Sequence, residues 1–252
     1  MLPLRAAILF LIVILPGAAM ASEQPLIVNY ALKAAPFSFD QNGTMRGALP
    51  ELMRTILTRG MGLKSQHHGY PWRRAQLLVA EGKADALCTV PTSQRRQYMV
   101  FSKEPVMTTR IGILYNPKNP RAQELAKLTT LEDLASFRIV DHNGNLWPKE
   151  QLAPKHDVHW VKTMDDAILL LSKNQYDVMV IARPGINDFS PTTASQYGLT
   201  GKYLGNLKGP TFHFGLRKDY PQAEALLKNF DQTLRRLHKS GCLRAIMLRT
   251  MF

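Results

Sequence analysis

Residues Gly82 to Pro105 read GKADALCTVPTSQRRQYMVFSKEP. Gly82 is a helix stop signal, and a short strand starts at Asp85. A polar turn follows, carrying Thr92, Ser93, Arg95 and Arg96, and the stretch leaves through the aromatic-and-serine pair Phe101-Ser102. A cationic turn at the end of a buried strand is where an α/β fold places a ligand.

Working outward, the residues before this stretch alternate strand and helix signals. Pro25 to Tyr30 (PLIVNY) is a β-branched run that predicts a first strand, and Asp40 to Gly43 (DQNG) predicts a turn. Leu49, Leu52, Met53, Ile56 and Leu57 have the spacing of a helix with one buried face, closed by Gly60 and Gly62. A strand over Leu63 to His68 leads through Tyr70-Pro71-Trp72 into a helix running to Glu81, with Pro71 just before its start.

Beyond the stretch, Arg110 to Tyr115 predicts a strand, Asn116 to Pro120 a break, and Leu131 to Leu134 a short helix behind Thr130. Phe137 to Asp141 and Val158 to Val161 read as strands, and Met164 to Lys173 as a helix capped by Thr163. Ala167 to Asp177 then repeats the order of Ala75 to Asp85, a helix, a polar break and an Asp before apolar residues, with the same ten-residue separation. Tyr176 to Ile181 is the matching strand, Phe189 to Gly201 reads as a polar loop, and Phe212 to Arg217 as a last strand. Pro221 opens a long helix with Leu226, Leu227, Phe230, Leu234 and Leu237 on one face, and a terminal helix follows Gly241. Two similar halves of alternating strands and helices argue for an α/β fold with largely parallel sheets.

The first residues stand apart. Met1 to Arg5 carries one positive charge, Ala6 to Leu15 is unbroken apolar sequence, and Ala19-Met20-Ala21 is a small-x-small cleavage pattern. The expectation is a secretory leader, residues 1–21, cut after Ala21, because the apolar run is too short to span a bilayer. The net charge is +13 over 252 residues, and losing Arg5 leaves +12. Export argues against nucleic acid, and the basic residues are scattered along the chain, so the charge suits a solvated surface with a preference for anionic ligands. Export also permits a bridge between the two cysteines, Cys88 and Cys242, but the sequence leaves open whether they pair.

No HExxH, G-x-S-x-G, P-loop or dinucleotide fingerprint is present, and no cofactor is expected. Glu104, Asp141, His142 and Asp188 are acid or base candidates outside any motif. His156 and His159 lack further ligands for a metal, and His67 and His68 would point to opposite faces of a strand.

Several segments together resemble the type 2 periplasmic solute-binding proteins of ABC uptake systems, in the group that includes the polar amino-acid binders. These are APFSFDQNGTMRGALPELM, the helix-EGKAD-strand unit, TSQRRQYMVFSKEPV, LTTLEDLASFRIV, the helix-NQYDVMV unit and FHFGLRKDYPQAEALLKNFDQTLRRLHKSG, in the family's order over nearly all of the mature chain. The resemblance implies two lobes joined by two hinge crossovers, residues 22–107 plus 208–252 forming lobe 1 and 108–207 lobe 2. It places the crossovers near Val106 to Thr109 and Gly205 to Lys208, with a small-molecule ligand in the cleft, a membrane permease as partner and a monomeric, periplasmic protein.

By that resemblance Arg95 is the residue that forks onto a ligand carboxylate, with Thr92 beside it and Arg96 a surface residue. Tyr70 and Trp72 would stack on a planar or apolar group, with Arg73 adding charge, or else Trp72 packs in the core and Arg73 is solvated. Asn143, Gly144 and Asn145 fall where the family has a Gly-Thr or Gly-Ser turn opening a helix in lobe 2, whose free N–H groups can bind an anion. The family's ammonium-holding aspartate corresponds to Ala182, followed by Arg183, which argues against a standard amino acid as ligand. A sensing partner of a membrane receptor, or an enzyme like the cyclohexadienyl dehydratases on the same fold, are the alternatives the resemblance carries.

Overall fold

A computed structural model describes residues 24–143, 145–184 and 197–250. The leader read at residues 1–21, Gly144 and Asp188 lie outside the described residues. The first half opens with β1 (Leu26–Ala31) and a small antiparallel sheet of β2 (Lys33–Ala34), β3 (Ser38–Gln41) and β4 (Thr44–Arg46). The predicted DQNG turn joins β3 to β4, with Asn42 at φ 54° and Gly43 at φ 78°, the left-handed pair that a tight hairpin requires. Then come α1 (Ala48–Arg54), continued as a π-helical segment through Gly60, β5 (Ser65–Tyr70), α2 (Trp72–Ala80), β6 (Ala86–Thr89) and β7 (Met99–Phe101).

The middle of the chain gives β8 (Met107–Tyr115), α3 (Ala122–Leu125), β9 (Ile139–His142), α4 (Leu146–Gln151), β10 (Val158–Val161), α5 (Met164–Ser172) and β11 (Met179–Pro184). Its end gives β12 (Thr200–Arg217), α6 (Ala223–Lys239) and α7 (Cys242–Thr250).

Among the described residues each lobe has its own apolar core. The first is built from both ends of the chain: Val28, Tyr30, Leu52, Ile56 and Met107 pack with Phe214, Phe230 and Leu234. The rings of Phe214 and Phe230 stack at 4.5 Å, and Phe37 stacks on Phe212 at 5.3 Å. The second lies wholly in the middle, with Ile111, Ile113, Leu134, Val178 and Val180 on one face of the sheet and Leu114, Ile168, Leu171, Met179 and Ile181 on the other.

In the first lobe β5, β1 and β6 pair parallel, and β12 lies antiparallel between β6 and β7. In the second, β9 and β10 pair parallel, while β8 runs antiparallel between β11 and β12. β8 and β12 pass from one lobe to the other, and β12 is a single strand of 18 residues. The sequence predicts only its last part, because Gly205, Gly209 and Pro210 interrupt the pattern where the ladder bulges. Similarly, the helix expected at Leu131 to Leu134 is a 3-10 turn over Glu132–Ser136, with the Asp133 carboxylate accepting from the backbone N–H of Thr129 and Thr130. Cys88 and Cys242 are unbridged.

The repeated unit has one physical design in both lobes. After α2 the chain reverses at Gly82, φ 70°, and after α5 at Asn174, φ 55°. The aspartate that follows pins the next strand to its neighbour: Asp85 Oδ2 accepts from Ile27 N at 2.9 Å, and Asp177 Oδ2 from Arg138 N at 2.9 Å. Each carboxylate also takes an arginine, Arg217 on Asp85 and Arg138 on Asp177. Burial pushes the Asp177 carboxyl up, but the hydrogen bonds from Arg138 and the Asn119 amide outweigh it and hold the group at about 2.

Candidate functional site

The parallel strands β1, β5 and β6 end at the same edge of the first lobe, so the segments that leave them share one crest. Tyr70 ends β5, and Trp72 begins α2 immediately beyond. Val90 to Arg95 leaves β6 and folds into a 3-10 turn over Arg95–Gln97, where Thr92 Oγ1 accepts from Arg95 N at 3.3 Å.

Arg95 is only 4% exposed. Its Nε donates to Gln76 Oε1 at 2.9 Å and its Nη1 to the Val90 carbonyl at 2.7 Å, while the Trp72 ring centroid lies 5.1 Å from the guanidinium carbon. Burial lowers its pKa, with Tyr98 and then Glu150 acting in the opposite direction, yet an arginine stays charged. Every one of these direct partners is neutral, and among the described residues Nη2 has none. A guanidinium buried without a carboxylate is costly to hold unless an anion arrives to meet it. The held Nε and Nη1 fix the plane of the fork, leaving its outer edge for a planar anion.

Trp72 packs in the core, the second of the two roles open to it. Its ring faces Arg95 and also packs against the cluster of Val79, Ala84, Leu87 and Met99. Tyr70 lies under the Arg74 guanidinium, 5.7 Å from the ring centroid. Arg73 is exposed on α2, and Arg96 lies over Phe101 at the surface, 5.5 Å from its ring. The structure therefore gathers Trp72, Thr92 and Arg95, keeps Tyr70 at the neighbouring strand end under Arg74, and leaves Arg73 exposed. Gln76 was not singled out from sequence, although its place one helical turn beyond Trp72 puts it on the same face of α2.

In the second lobe β9, β10 and β11 end at one edge, where β8 enters from the first lobe. Asn143 follows β9, exposed, its side-chain oxygen accepting from Lys149 Nζ at 3.3 Å. Arg183 lies near the end of β11, directly opposite Arg110 of β8. Burial lowers the pKa of Arg183, with Tyr203 acting in the opposite direction.

The described acid and base candidates, Glu104, Asp141 and His142, have structural partners. Glu104 accepts from Arg235 at 2.8 Å, and the buried Asp141 accepts from His142 and from the Asn145 amide. His159 stacks on Tyr176 at 4.8 Å. Among the described residues no three His, Cys, Asp or Glu side chains form a group that could hold a metal ion, and no helix is long and apolar enough to cross a membrane.

The family model for bacterial extracellular solute-binding proteins, family 3, matches residues 26–250. The chain belongs to this family. Its members are extracellular solute-binding proteins. No curated protein matches the chain.

Many solved structures share the family 3 fold, all those quoted being under 25% identical. The ligand-binding core of GluR0 in complex with L-glutamate superposes with a TM-score of 0.71 at 19% identity, over 92% of this chain and 100% of that one. A histidine kinase sensor domain with similarity to periplasmic binding proteins gives 0.66 at 22%, over 90% of this chain and 96% of that one. The ancestral amino-acid-binding protein AncCDT-1, described as a precursor of cyclohexadienyl dehydratase, gives 0.66 at 21%, over 90% and 95%. These likenesses establish the two-lobed fold.

Proposed function

We propose that this protein is an exported solute-binding protein that captures a small carboxylate-bearing solute between its lobes and delivers it, chemically unchanged, to the membrane permease of an ABC transporter. The leader would be removed after Ala21, and the monomer would close residues 108–207 against residues 22–107 and 208–252 around the ligand. The observation that carries the reading is Arg95, a buried cation with neutral partners and an open guanidinium edge at the crest of the first lobe. The ring of Trp72 supports its inner side, and Tyr70, at the end of the neighbouring strand, would offer a further aromatic surface.

By the family resemblance Ala182 corresponds to the aspartate that holds the ligand ammonium in the amino-acid binders, and this supports a preferred solute without an α-ammonium group held in that way. A thermal-shift screen of small carboxylates against the mature protein tests the reading, because a ligand that binds only the folded state raises the melting temperature. Arg95→Gln is expected to weaken any carboxylate hit by about 30-fold or more, since it removes one partner of a buried charged pair. A hit that binds Arg95→Gln as well as it binds the unaltered protein would remove the carboxylate anchor from this account.

A further inference from the structure

The three adjacent strands at the cleft edge of the second lobe place Arg183, Arg110 and Lys208 in one row. Arg183 of β11 is opposite Arg110 of β8, and Arg110 is opposite Lys208 of β12. Like charges directly opposite one another in a sheet repel and destabilise it. None of the three takes part in an ion pair with a described residue.

Several arginines elsewhere rest on carboxylates. Arg217 and Arg138 rest on Asp85 and Asp177, Arg54 on Glu51, Arg121 on Glu124 and Arg235 on Glu104. Arg110, by contrast, gives Nη2 to the Gly205 carbonyl at 2.6 Å and to Asn206 Oδ1 at 3.5 Å, and its guanidinium carbon lies 4.2 Å from the Tyr203 ring centroid. Its Nε is buried with no hydrogen-bond partner. Among the described residues, the buried Arg95 in one lobe and the half-buried Arg110 in the other thus bond only to neutral groups, and Arg183 lies directly beside Arg110 with no ion pair to a described residue.

Strand alternation places these two groups on the same side of the molecule. Arg110 and Thr108 project from one face of β8, and Thr108 is opposite Thr211 of β12. Thr211 and His213 share that face, their side chains joined by a 2.9 Å hydrogen bond, and His213 is opposite Thr89 of β6. Leu87, two residues before Thr89, belongs to the cluster on which Trp72 and Tyr98 pack beside Arg95. One continuous face therefore runs from the cationic row, along the crossing strands, to the Arg95 fork.

Resting on the reading of Arg95 as a carboxylate anchor, we infer that the solute is a two-ended dianion, with one carboxylate on Arg95 and a second anionic group, carboxylate or phosphonate, received by Arg110, Arg183 and Lys208. The second lobe of this protein recognises negative charge where its amino-acid-binding relatives recognise an ammonium. Closure then brings an anion to each of two cationic groups that otherwise repel across the cleft.

The test is a titration of the purified full chain with straight-chain α,ω-dicarboxylates, ω-phosphonocarboxylates and monocarboxylates of matched length, from three to seven carbons. The expected result is that one dianion length binds at least about 30-fold more tightly than the matched monocarboxylate. Arg183→Gln and Arg110→Gln should erase that advantage and leave monocarboxylate binding unchanged, and Arg183→Lys should retain part of it. Preference between dicarboxylates and phosphonocarboxylates identifies the second group.

Should either glutamine variant fail to fold, Lys208→Gln, at an exposed position, carries the same comparison with a smaller loss of about threefold. Equal binding of monoanions and dianions overturns the inference, as does equal weakening of both by the row variants, or no binding of any dianion. If Arg95→Gln still abolishes carboxylate binding in those cases, the first anchor stands and only the second is lost.

Discussion

Replacing Asp177 by asparagine tests whether the repeated aspartate holds the second lobe together. Its two oxygens accept from Arg138 N at 2.9 Å, Arg138 Nε at 3.1 Å, Arg138 Nη2 at 2.8 Å and Asn119 Nδ2 at 3.0 Å. These donors bring the carboxyl from its ordinary 3.8 to about 2 against the opposing effect of burial. Each pKa unit corresponds to about 1.4 kcal/mol, so ionised Asp177 contributes about 2 kcal/mol to folding at neutral pH. The folded pKa lies below the unfolded one, so this contribution is complete above about pH 4 and is lost as the pH falls through 2.

Asparagine also turns an amide N–H₂ toward donors that need acceptors, which adds about 1 to 2 kcal/mol of unpaired buried groups. Urea denaturation at pH 7 should therefore show Asp177→Asn less stable by about 3 to 4 kcal/mol. The gap from the unaltered protein should narrow at pH 2.5. A gap below about 0.5 kcal/mol at pH 7, or one unchanged in acid, would refute the reasoning. Because Asp177 sets the start of the strand that carries Arg183, the same variant should also weaken binding of any dianion.

Two further outcomes follow from residues away from the cleft. His67 is stacked on Tyr30 and bonded to its hydroxyl at 2.8 Å; burial, then Arg54 and His68, lower its pKa to about 4. Its neutral form is favoured by folding, so stability should fall by about 3 kcal/mol as the pH drops from 6.5 to 4. His67→Phe should be less stable at pH 7 yet flatter over that range, and equal slopes in urea titrations would contradict this. Gly47 sits at φ 105°, where an added Cβ would lie 2.7 Å from the Pro36 carbonyl oxygen and 2.8 Å from that of Phe37. Those oxygens accept the first N–H groups of α1, so Gly47→Ala should cost about 2 kcal/mol or more, and a melting temperature within a degree of the unaltered protein would disprove the constraint.

The order of strands and helices was readable because each element carries its own periodicity and stop signals. The Asp-apolar pattern at Asp85 and Asp177 likewise disclosed the repeated unit, but not that both carboxylates lock a neighbouring strand through an N–H. Arg95 could be singled out because its turn follows a buried strand in a recognisable motif. The row of Arg183, Arg110 and Lys208 could not: its members are far apart in sequence, and only pairing register brings them together. The first part of β12 was hidden for a related reason, since Gly205, Gly209 and Pro210 are compatible with a strand only where the ladder is bulged.

The position of β12 also fixes an order of events when the chain folds. It fills the gap between β6 and β7, and Phe214, Phe230 and Leu234 complete the core that Val28 and Ile56 begin. A nascent chain that stops before Phe212 leaves β7 and the β12-facing edge of β6 unpaired and the apolar face open. The middle segment has all its own core partners by Leu207. Its contacts are the more local, and so the faster to form. The lobe that carries Arg95 is therefore the last to close, and the crest it supports is finished only when the end of the chain arrives.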